Sequence, residues 1–167
     1  KGKTMDWILQ KATEMGAARI VPLLTERAVP HLEPGRLEDK RDKWRTTVME
    51  AVKQCGQPWL PEVDAPVPLR DFLARKESFE LALAGSLHGN TRHPRECFDS
   101  FRKTHGRPPA GICLWIGPEG DFTPAEMDAI LASGAQPVTL GPLVLRCETA
   151  AMYCLAVANH ELTSPLP

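Results

Sequence analysis

Two glycine-containing loops hold most of the residues whose types and spacing could do chemistry. The first loop, residues 117–120, reads Gly-Pro-Glu-Gly and lies between an apolar segment and a helix start. Glycine permits positive φ angles and lets a ligand approach the backbone closely, and a helix start offers free N–H groups. A tight strand-to-helix turn that binds nothing explains these residues about equally well. The loop has neither the Gly-Lys-Ser/Thr of a P-loop nor the GxGxxG of dinucleotide-binding proteins.

The second loop belongs to the segment 140–150, which reads Leu-Gly-Pro-Leu-Val-Leu-Arg-Cys-Glu-Thr-Ala. Loops usually lie at the surface, so three consecutive apolar residues in a loop are unusual. We therefore expect residues 143–145 to be buried against another part of the molecule. Arg146 follows them at the start of a helix, close to Glu148. A purely structural Arg–Glu pair at the helix N-terminus is the alternative, and the apolar loop makes it the less favoured one.

Three further polar residues are candidates because of their position. Glu50 and Gln54 lie one helical turn apart and share a helix face, and Arg27 lies at the end of the first predicted strand. A solvated surface position is the commoner role for isolated residues of these types. The residues alone therefore leave both interpretations open.

Metal and hydrolase sites are less favoured. Glu119 and Asp121 could hold a divalent ion, but their loop has no further obvious ligands. His88 and His93 flank a loop, where an exposed or locally bonded histidine is more common than a metal ligand. There is no G-x-S-x-G motif of the kind that exposes a nucleophilic serine. We expect no metal.

The elements that must position these residues alternate between strand and helix. This pattern predicts an α/β fold with a mainly parallel sheet and helices on both faces. Both glycine loops follow strands, and ligands of such sheets bind beyond the carboxyl ends of the strands. Thr123 and Glu126, with Pro124 between them, predict a capping box at a helix start. The predicted strands are 18–24, 60–63, 79–84, 112–116 and 137–140. The predicted helices are 4–15, 37–55, 69–75, 95–103, 123–134 and 148–162, with a Pro/Gly-rich loop between the first strand and residue 35.

Length and composition exclude several classes of protein. The chain has 167 residues, 43% hydrophobic and 25% charged, which suits one folded domain rather than a disordered tail. No apolar run approaches the ~18 residues of a membrane span, and no signal peptide opens the chain. The net charge of −1 shows no overall basic surface for nucleic acid. Five cysteines without CxxC spacing suggest a reducing compartment, hence the cytoplasm.

Together the two loops resemble those of the RsmE family, which are 16S rRNA (uridine-N3) methyltransferases of the SPOUT superfamily. Segments 5–16, 25–27 and 50–54 resemble further family motifs in the same order, so the match runs from residue 3 to about 160. Two positions depart from the family. Asp121 stands where the family usually has a second glycine, and Gln57 stands where it often has an arginine.

The resemblance implies properties that the residue pattern did not show. Family members have a carboxyl-terminal trefoil knot, although true knots are exceptional among proteins. They bind S-adenosylmethionine in the knotted loops and act on small-subunit ribosomal RNA as homodimers. They also carry an amino-terminal PUA-like barrel for RNA. We expect residues 1–167 to be a single SPOUT methyltransferase domain without that barrel.

The resemblance also assigns roles to residues of this chain. Methyl transfer to N3 of uracil requires alignment of the reactants, loss of the N3 proton and stabilisation of charge on O2 and O4. A permanently charged arginine suits the last task, and the general base stays open between two glutamates. The expected catalytic residues are Arg146, Arg27, Glu119 and Glu148. The expected substrate-binding residues are Arg27, Glu50 and Gln54. The expected cofactor-binding residues are Ile116, Gly117, Pro118, Glu119, Gly120, Leu140, Gly141, Val144, Leu145, Arg146 and Thr149.

Two other functions compete with this hypothesis. One is a catalytically silent SPOUT module that binds RNA or the ribosome, which the near-neutral charge slightly favours. The other is a SPOUT methyltransferase that acts on tRNA or on a protein. The intact Leu-Arg-x-Glu-Thr-Ala run at residues 145–150 argues against the silent module.

Overall fold

Short parallel strands alternate with helices in the computed structural model, which describes residues 2–28, 35–87 and 89–163. The helices are α1 (Gly2–Glu14), α2 (Gly35–Cys55), α3 (Leu69–Ala74), α4 (Pro94–His105), α5 (Pro124–Ala132) and α6 (Cys147–Thr163). The strands are β1 (Arg19–Ile20), β2 (Leu23–Leu24), β3 (Glu62–Val63), β4 (Val67–Pro68), β5 (Leu81–Gly85), β6 (Ile112–Trp115) and β7 (Gln136–Val138). In the described part of the chain, no helix combines the length and the apolar character that crossing a membrane requires. The predicted Pro/Gly-rich loop before residue 35 falls largely outside the described residues.

The sheet that matters most for function has β5 in the centre, between β6 and β7. Both neighbours run parallel to β5, with Leu83 opposite Leu114 on one side and opposite Gln136 on the other. The carboxyl ends of all three strands therefore lie at one edge of the sheet. The prediction of an α/β fold with parallel strands is confirmed.

Helices cover both faces of this sheet because successive strand residues point to opposite faces. Leu81 and Leu83 pack with residues of α4 and α6 on one face. Ala82 and Ala84 pack with residues of α3 and α5 on the other. Residues 112–114 of β6 are only half-buried. An uninterrupted apolar strand is typical of one buried on both faces, but β6 lies at the edge of the described sheet, which explains why these residues are partly exposed.

The first predicted strand, residues 18–24, is interrupted. β1 pairs with β3 and β2 pairs with β4, both in parallel. Pro22 lies in the gap, and its nitrogen has no hydrogen to donate to a neighbouring strand. Its carbonyl still accepts a hydrogen bond from the N–H of Val67 (3.0 Å). Prediction of one continuous strand was therefore wrong, and β4 was not predicted.

An ion-pair network fastens these short strands to the end of α3. Arg19 donates to both carboxylate oxygens of Asp64 (2.9 and 2.6 Å) and to Glu77 (2.8 Å). Arg75 also donates to Asp64 (2.9 Å). These hydrogen bonds and charges hold the pKa of Asp64 below its usual value. Strands of two residues thus receive support that their backbone hydrogen bonds alone would not give.

Local signals located the helix starts well. The capping box of α5 is formed as predicted, with Thr123 and Glu126 bonded reciprocally and Pro124 in the first turn. α6 begins at Cys147, one residue before the predicted start. The predicted helix 95–103 is α4, which begins at Pro94 behind a second capping box formed by His93 and Glu96.

Candidate functional site

Three loops meet at the carboxyl edge of the β5–β7 sheet, each following one strand. Gly85, the last residue of β5, shows how close the strand ends are. A side chain at Gly85 would meet Leu140 Cδ1 at 3.7 Å and the Trp115 carbonyl oxygen at 3.8 Å. The loop after β5 also pairs with β7, because Thr139 N–H donates to the Arg92 carbonyl (3.0 Å). This loop is part of the site although none of its residues is among the predicted site residues; the glycine at its strand end, Gly85, was the signal that could have indicated it.

The loop after β6, residues 116–122 (the β6 loop), is held by its own hydrogen bonds. Asp121 N–H donates to the Pro118 carbonyl (2.8 Å), and the Asp121 carboxylate accepts from Phe122 N–H (2.8 Å). Asp121 has a φ of +59°, a conformation that favours glycine. A Cβ at Gly117 would lie 2.6 Å from Asp121 Oδ1. A side chain at Gly117 would therefore have to displace the Asp121 carboxylate, which accepts from Phe122 N–H.

Arg27 lies against the β6 loop, although the two are far apart in the sequence. Its Nη1 donates to the Gly120 carbonyl at 2.6 Å. A Cβ at Gly120 would lie 3.3–3.4 Å from the Arg27 side chain, so the absence of a side chain permits this close packing. The structure thus brings Arg27 next to the loop expected to bind the cofactor. Its guanidinium is exposed and has further N–H groups for a ligand.

The loop after β7, residues 139–146 (the β7 loop), has few contacts. Gly141 has a φ of +111°, and a side chain there would meet no atom within 4 Å. Leu143 is 73% exposed and Val144 is 77% exposed, while Leu145 is half-buried. Within the described residues, the N–H groups of these three residues have no hydrogen-bond acceptor. The prediction that residues 143–145 are all buried is wrong for the single chain, because no described segment covers Leu143 and Val144.

Arg146 lies at the start of α6, where its carbonyl accepts from Ala150 N–H (2.8 Å). Its side chain is exposed. No ion pair joins Arg146 to Glu148 in the described part of the molecule, so the structural pair that we considered as an alternative does not form. The guanidinium therefore remains available to a ligand.

Cys147 is the first residue of α6 and directly follows the β7 loop. Burial raises the pKa of Cys147, and the carboxylates of Glu148 and Glu119 raise it further. Glu119 belongs to the β6 loop and Glu148 to the first turn of α6, so their negative charges act on the same group. The thiol stays protonated at neutral pH, and the site offers no thiolate nucleophile.

Glu50 and Gln54 lie on α2, which packs against α1 and β3. Both side chains are exposed, and Glu50 forms an ion pair with Lys53 (2.7 Å). Glu50 also lines a groove of about 550 Å³ between α1 and α2. The structure does not bring these residues to the loop edge within one chain, and their role in substrate binding stays a prediction. The other residues that line the groove are Lys3, Asp6, Trp7, Gln10, Thr46, Thr47 and Ala51.

Of the two histidines considered as metal ligands, His93 has a structural role. His93 caps α4 by accepting from Arg95 N–H through Nδ1, and its Nε2 lies 3.1 Å from the Tyr153 hydroxyl. His88 lies outside the described residues. Among the residues that the structure describes, no three or more His, Cys, Asp or Glu side chains are grouped so that they could hold a metal ion.

Comparison with known proteins identifies the family. The family model for the RNA methyltransferase domain matches residues 1–159. The chain belongs to this family. The resemblance to RsmE is also confirmed, because curated relatives named ribosomal RNA small subunit methyltransferase E match almost the whole chain. The protein from Synechocystis sp. is 36% identical over 98% of the chain, and that from Bacillus subtilis is 29% identical over 96%. The chain spans only 52% and 62% of the length of these two relatives.

Solved structures that are similar to this chain have the same fold. A methyltransferase from Legionella pneumophila, solved with S-adenosylmethionine bound, superposes with a TM-score of 0.82. It is 34% identical, over 95% of this chain and 61% of its own. Ribosomal RNA small subunit methyltransferase E from Neisseria gonorrhoeae, also bound to S-adenosylmethionine, superposes with a TM-score of 0.79 at 29% identity, over 94% of this chain and 60% of its own.

Proposed function

We propose that this chain is the catalytic domain of an S-adenosylmethionine-dependent methyltransferase that acts on N3 of a uridine in 16S ribosomal RNA. One observation carries the proposal: the two loops with RsmE-like motifs follow strands that end at the same edge of one sheet. The names of the curated relatives and the cofactor in the two solved neighbours support the reaction and the methyl donor. On this proposal, residues 1–167 form a single SPOUT domain.

The residues at the loop edge fit the adenosyl part of S-adenosylmethionine. The N–H groups of residues 143–145 have no acceptor among the described residues, so they are free to bind a ligand. Leu140 offers a half-buried apolar side chain beside them. Adenine is neutral and flat, and backbone hydrogen-bonding groups with apolar neighbours suit it.

We assign the binding of the cofactor to the two loops and the first turn of α6. When bound, S-adenosylmethionine supplies the methyl group from its sulfonium. The two loops and the first turn of α6 would hold it and would shield its apolar part from water. The residues assigned to this task are Ile116, Gly117, Pro118, Glu119, Gly120, Leu140, Gly141, Val144, Leu145, Arg146 and Thr149.

Arg27 and Arg146 are positioned to stabilise negative charge on the uracil. Both guanidinium groups are exposed, and Arg27 is held at Gly120 in the β6 loop. Each keeps N–H donors that can reach O2 or O4 of the base as N3 loses its proton. Glu119 is exposed and Glu148 is half-buried, and either carboxylate can accept that proton. Glu50 and Gln54 would then contact RNA outside the cofactor pocket.

The proposal includes a trefoil knot and a homodimer. The knot is supported by the strand order β6–β5–β7 and by the pairing of Arg92 with Val138, which sets the loop after β5 beside the segment that leads to α6. The dimer is supported by Leu143 and Val144, because neighbouring exposed apolar side chains are typical of a surface that is buried against a partner. A second subunit over the β7 loop would supply it.

We also place the protein in the cytoplasm. All five cysteines are unpaired, as expected in a reducing compartment. Ribosomal RNA as substrate agrees with this location.

Binding of the cofactor is the first test of the proposed function. We expect calorimetry to detect binding of S-adenosylmethionine to the chain as it stands. At ~100-fold excess over the dissociation constant, the ligand should stabilise the native state by about 2.7 kcal/mol and raise the melting temperature by several degrees. A chain that shows neither heat nor a thermal shift at millimolar cofactor would refute the cofactor assignment.

Modification mapping is the second test. We expect 3-methyluridine to be missing from one position of 16S RNA in cells that lack the full-length protein, and to return on complementation. Loss of a methyl group from tRNA or protein instead would identify the other methyltransferase hypothesis. Cofactor binding with every methylated site intact would support the catalytically silent module.

A further inference from the structure

Glu126 forms a link between two segments that are 100 residues apart in the sequence. One carboxylate oxygen, Oε2, accepts from Thr123 N–H at 2.9 Å, which is the ordinary bond of a capping box. The other oxygen, Oε1, accepts from Glu26 N–H at 2.8 Å. A capping box requires only the first of these bonds, so the second needs its own explanation.

The residue after Glu26 is Arg27, whose guanidinium donates to the Gly120 carbonyl (2.6 Å). Two neighbouring residues, 26 and 27, therefore contact the unit made of the β6 loop and α5, one through its backbone and the other through its side chain. The first contact fixes the backbone from which the second side chain extends. Both residues are exposed and lie in the turn that Ala28 N–H closes by donating to the Thr25 carbonyl (3.1 Å), so Glu126 orients this turn against α5 rather than forming it.

We propose that Glu126 is a positioning residue for Arg27: its carboxylate holds the Glu26 backbone so that the Arg27 guanidinium stays at the β6 loop, beside the bound methyl donor and uracil. This inference rests on the proposed function. It assigns Glu126 a role in substrate turnover beyond the start of α5.

The geometry explains why a carboxylate is needed at this position. Both partners of Glu126 are N–H donors, and a carboxylate accepts with both oxygens. A glutamine has the same shape but only one acceptor, because its nitrogen is itself a donor. Glu126→Gln therefore breaks one of the two contacts with little change in volume. We expect the remaining oxygen to keep the local bond to Thr123 N–H, three residues away, so that the long-range bond to Glu26 N–H is the one lost.

The matched control is Thr123→Ala. It removes the hydroxyl that accepts from Glu126 N–H (3.3 Å) and so weakens the cap of α5. It leaves both backbone donors and both carboxylate oxygens of the link in place. A merely structural role of Glu126 in α5 predicts similar effects of the two substitutions.

Hydrogen exchange tests the link without any need for activity. In Glu126→Gln we expect the amide of Glu26 to exchange at least ~10-fold faster, the factor for loss of one hydrogen bond to a charged acceptor. In Thr123→Ala the Glu26 amide should change less than about threefold. Equal acceleration in the two variants, or none in Glu126→Gln, would overturn the proposal even if the protein proved to have another function.

Turnover of the full-length protein on small-subunit RNA tests the consequence. We expect Glu126→Gln to lower kcat about tenfold while the dissociation constant of S-adenosylmethionine stays within about threefold. In an Arg27→Ala background the same substitution should have almost no further effect on kcat, because it acts through Arg27. Additive effects of the two substitutions would show that Glu126 acts independently of Arg27 and would contradict the inference.

Discussion

The β6 loop and the β7 loop have similar local designs but very different surroundings. Each follows a strand of the same sheet, contains one residue with positive φ and leads into a helix. The β6 loop is held by the chain itself, through Asp121, Arg27 and the capped start of α5. The β7 loop exposes Leu143 and Val144, and its N–H groups lack acceptors within the described residues.

This difference indicates that the two loops reach their working form by different routes. The β6 loop is preorganised by intramolecular hydrogen bonds, so it can orient a ligand without a large ordering cost. The β7 loop must take its partners from outside the single chain. In the proposed function those partners are S-adenosylmethionine and a second subunit.

The largest expected effect comes from Arg146→Ala at the end of the β7 loop. If Arg146 stabilises charge on the uracil, its loss should lower kcat by roughly 10²–10³, as for removal of one preorganised donor in comparable sites. Cofactor affinity should stay within a few-fold. The measurement is turnover of the full-length protein on small-subunit RNA, with cofactor affinity determined on the same preparation.

Arg70→Ala is a suitable control for this experiment. Arg70 is 88% exposed and pairs with its neighbour Asp71 on α3. The Arg70→Ala substitution removes one positive charge, as Arg146→Ala does, and should leave kcat unchanged. Turnover of Arg146→Ala within a few-fold of wild type would refute the catalytic role. Parallel loss of stability and cofactor affinity would instead indicate that Arg146 supports the start of α6.

A smaller effect is expected when charge is placed on the exposed part of the β7 loop. The double substitution Leu143→Asp, Val144→Asp should weaken dimerisation at least ~10-fold, because buried carboxylates without partners are costly. Light scattering over a concentration series measures the change. Unfolding of the monomer should shift by less than about 0.5 kcal/mol, as for ordinary surface positions.

Leu60→Asp provides the comparison for this variant. Leu60 is 47% exposed and follows α2 in the sequence. The substitution therefore adds a charge at an apolar surface position outside the β7 loop. We expect it to leave the dimer intact. If the wild-type chain is monomeric at micromolar concentration, the proposed dimer is wrong. If the double variant still dimerises normally, the β7 loop is not part of the dimer interface.

The sequence predicted those features of the fold that depend on local chemistry. Thr123, Pro124 and Glu126 lie within one helical turn, so the start of α5 could be located from their types alone. The first strand was predicted as continuous because its residues are apolar, yet Pro22 interrupts it. Burial of Leu143 and Val144 was predicted wrongly for a related reason. Apolar character shows that a side chain favours cover, but it does not show that the same chain supplies it.

The strand–helix pattern predicted that both glycine loops lie at the ligand-binding edge of the sheet, but the place of Arg27 in the site was predictable only from the family resemblance. No local pattern relates Arg27 to Gly120, which are 93 residues apart, and the resemblance alone placed them in one site. The second bond of Glu126 was missed because its capping role already accounted for the residue. Long-range contacts of this kind depend on how strands are ordered in the sheet, and that order is not encoded in any short segment.

The smallest expected effect concerns Asp121, where the chain departs from the glycine usual in its family. The structure shows a residue with φ of +59° whose carboxylate accepts from Phe122 N–H (2.8 Å). Asp121→Gly relieves the left-handed conformation but loses that hydrogen bond, and each contribution is about 1 kcal/mol. We therefore expect the free energy of unfolding to change by less than about 0.5 kcal/mol, with cofactor affinity within about twofold.

Asp121→Ala separates the two contributions. Alanine loses the hydrogen bond and keeps the unfavourable φ, so this variant should be less stable than wild type by about 1 kcal/mol. Urea unfolding of the three proteins, with cofactor titration of each, measures both quantities. If glycine were as destabilising as alanine, the carboxylate rather than the φ angle would control this loop, and Asp121 would hold the β6 loop by a contact that relatives with glycine do not have. If instead glycine stabilised the chain clearly, the β6 loop would be strained at Asp121, and its contrast with the β7 loop would be weaker than its hydrogen bonds suggest.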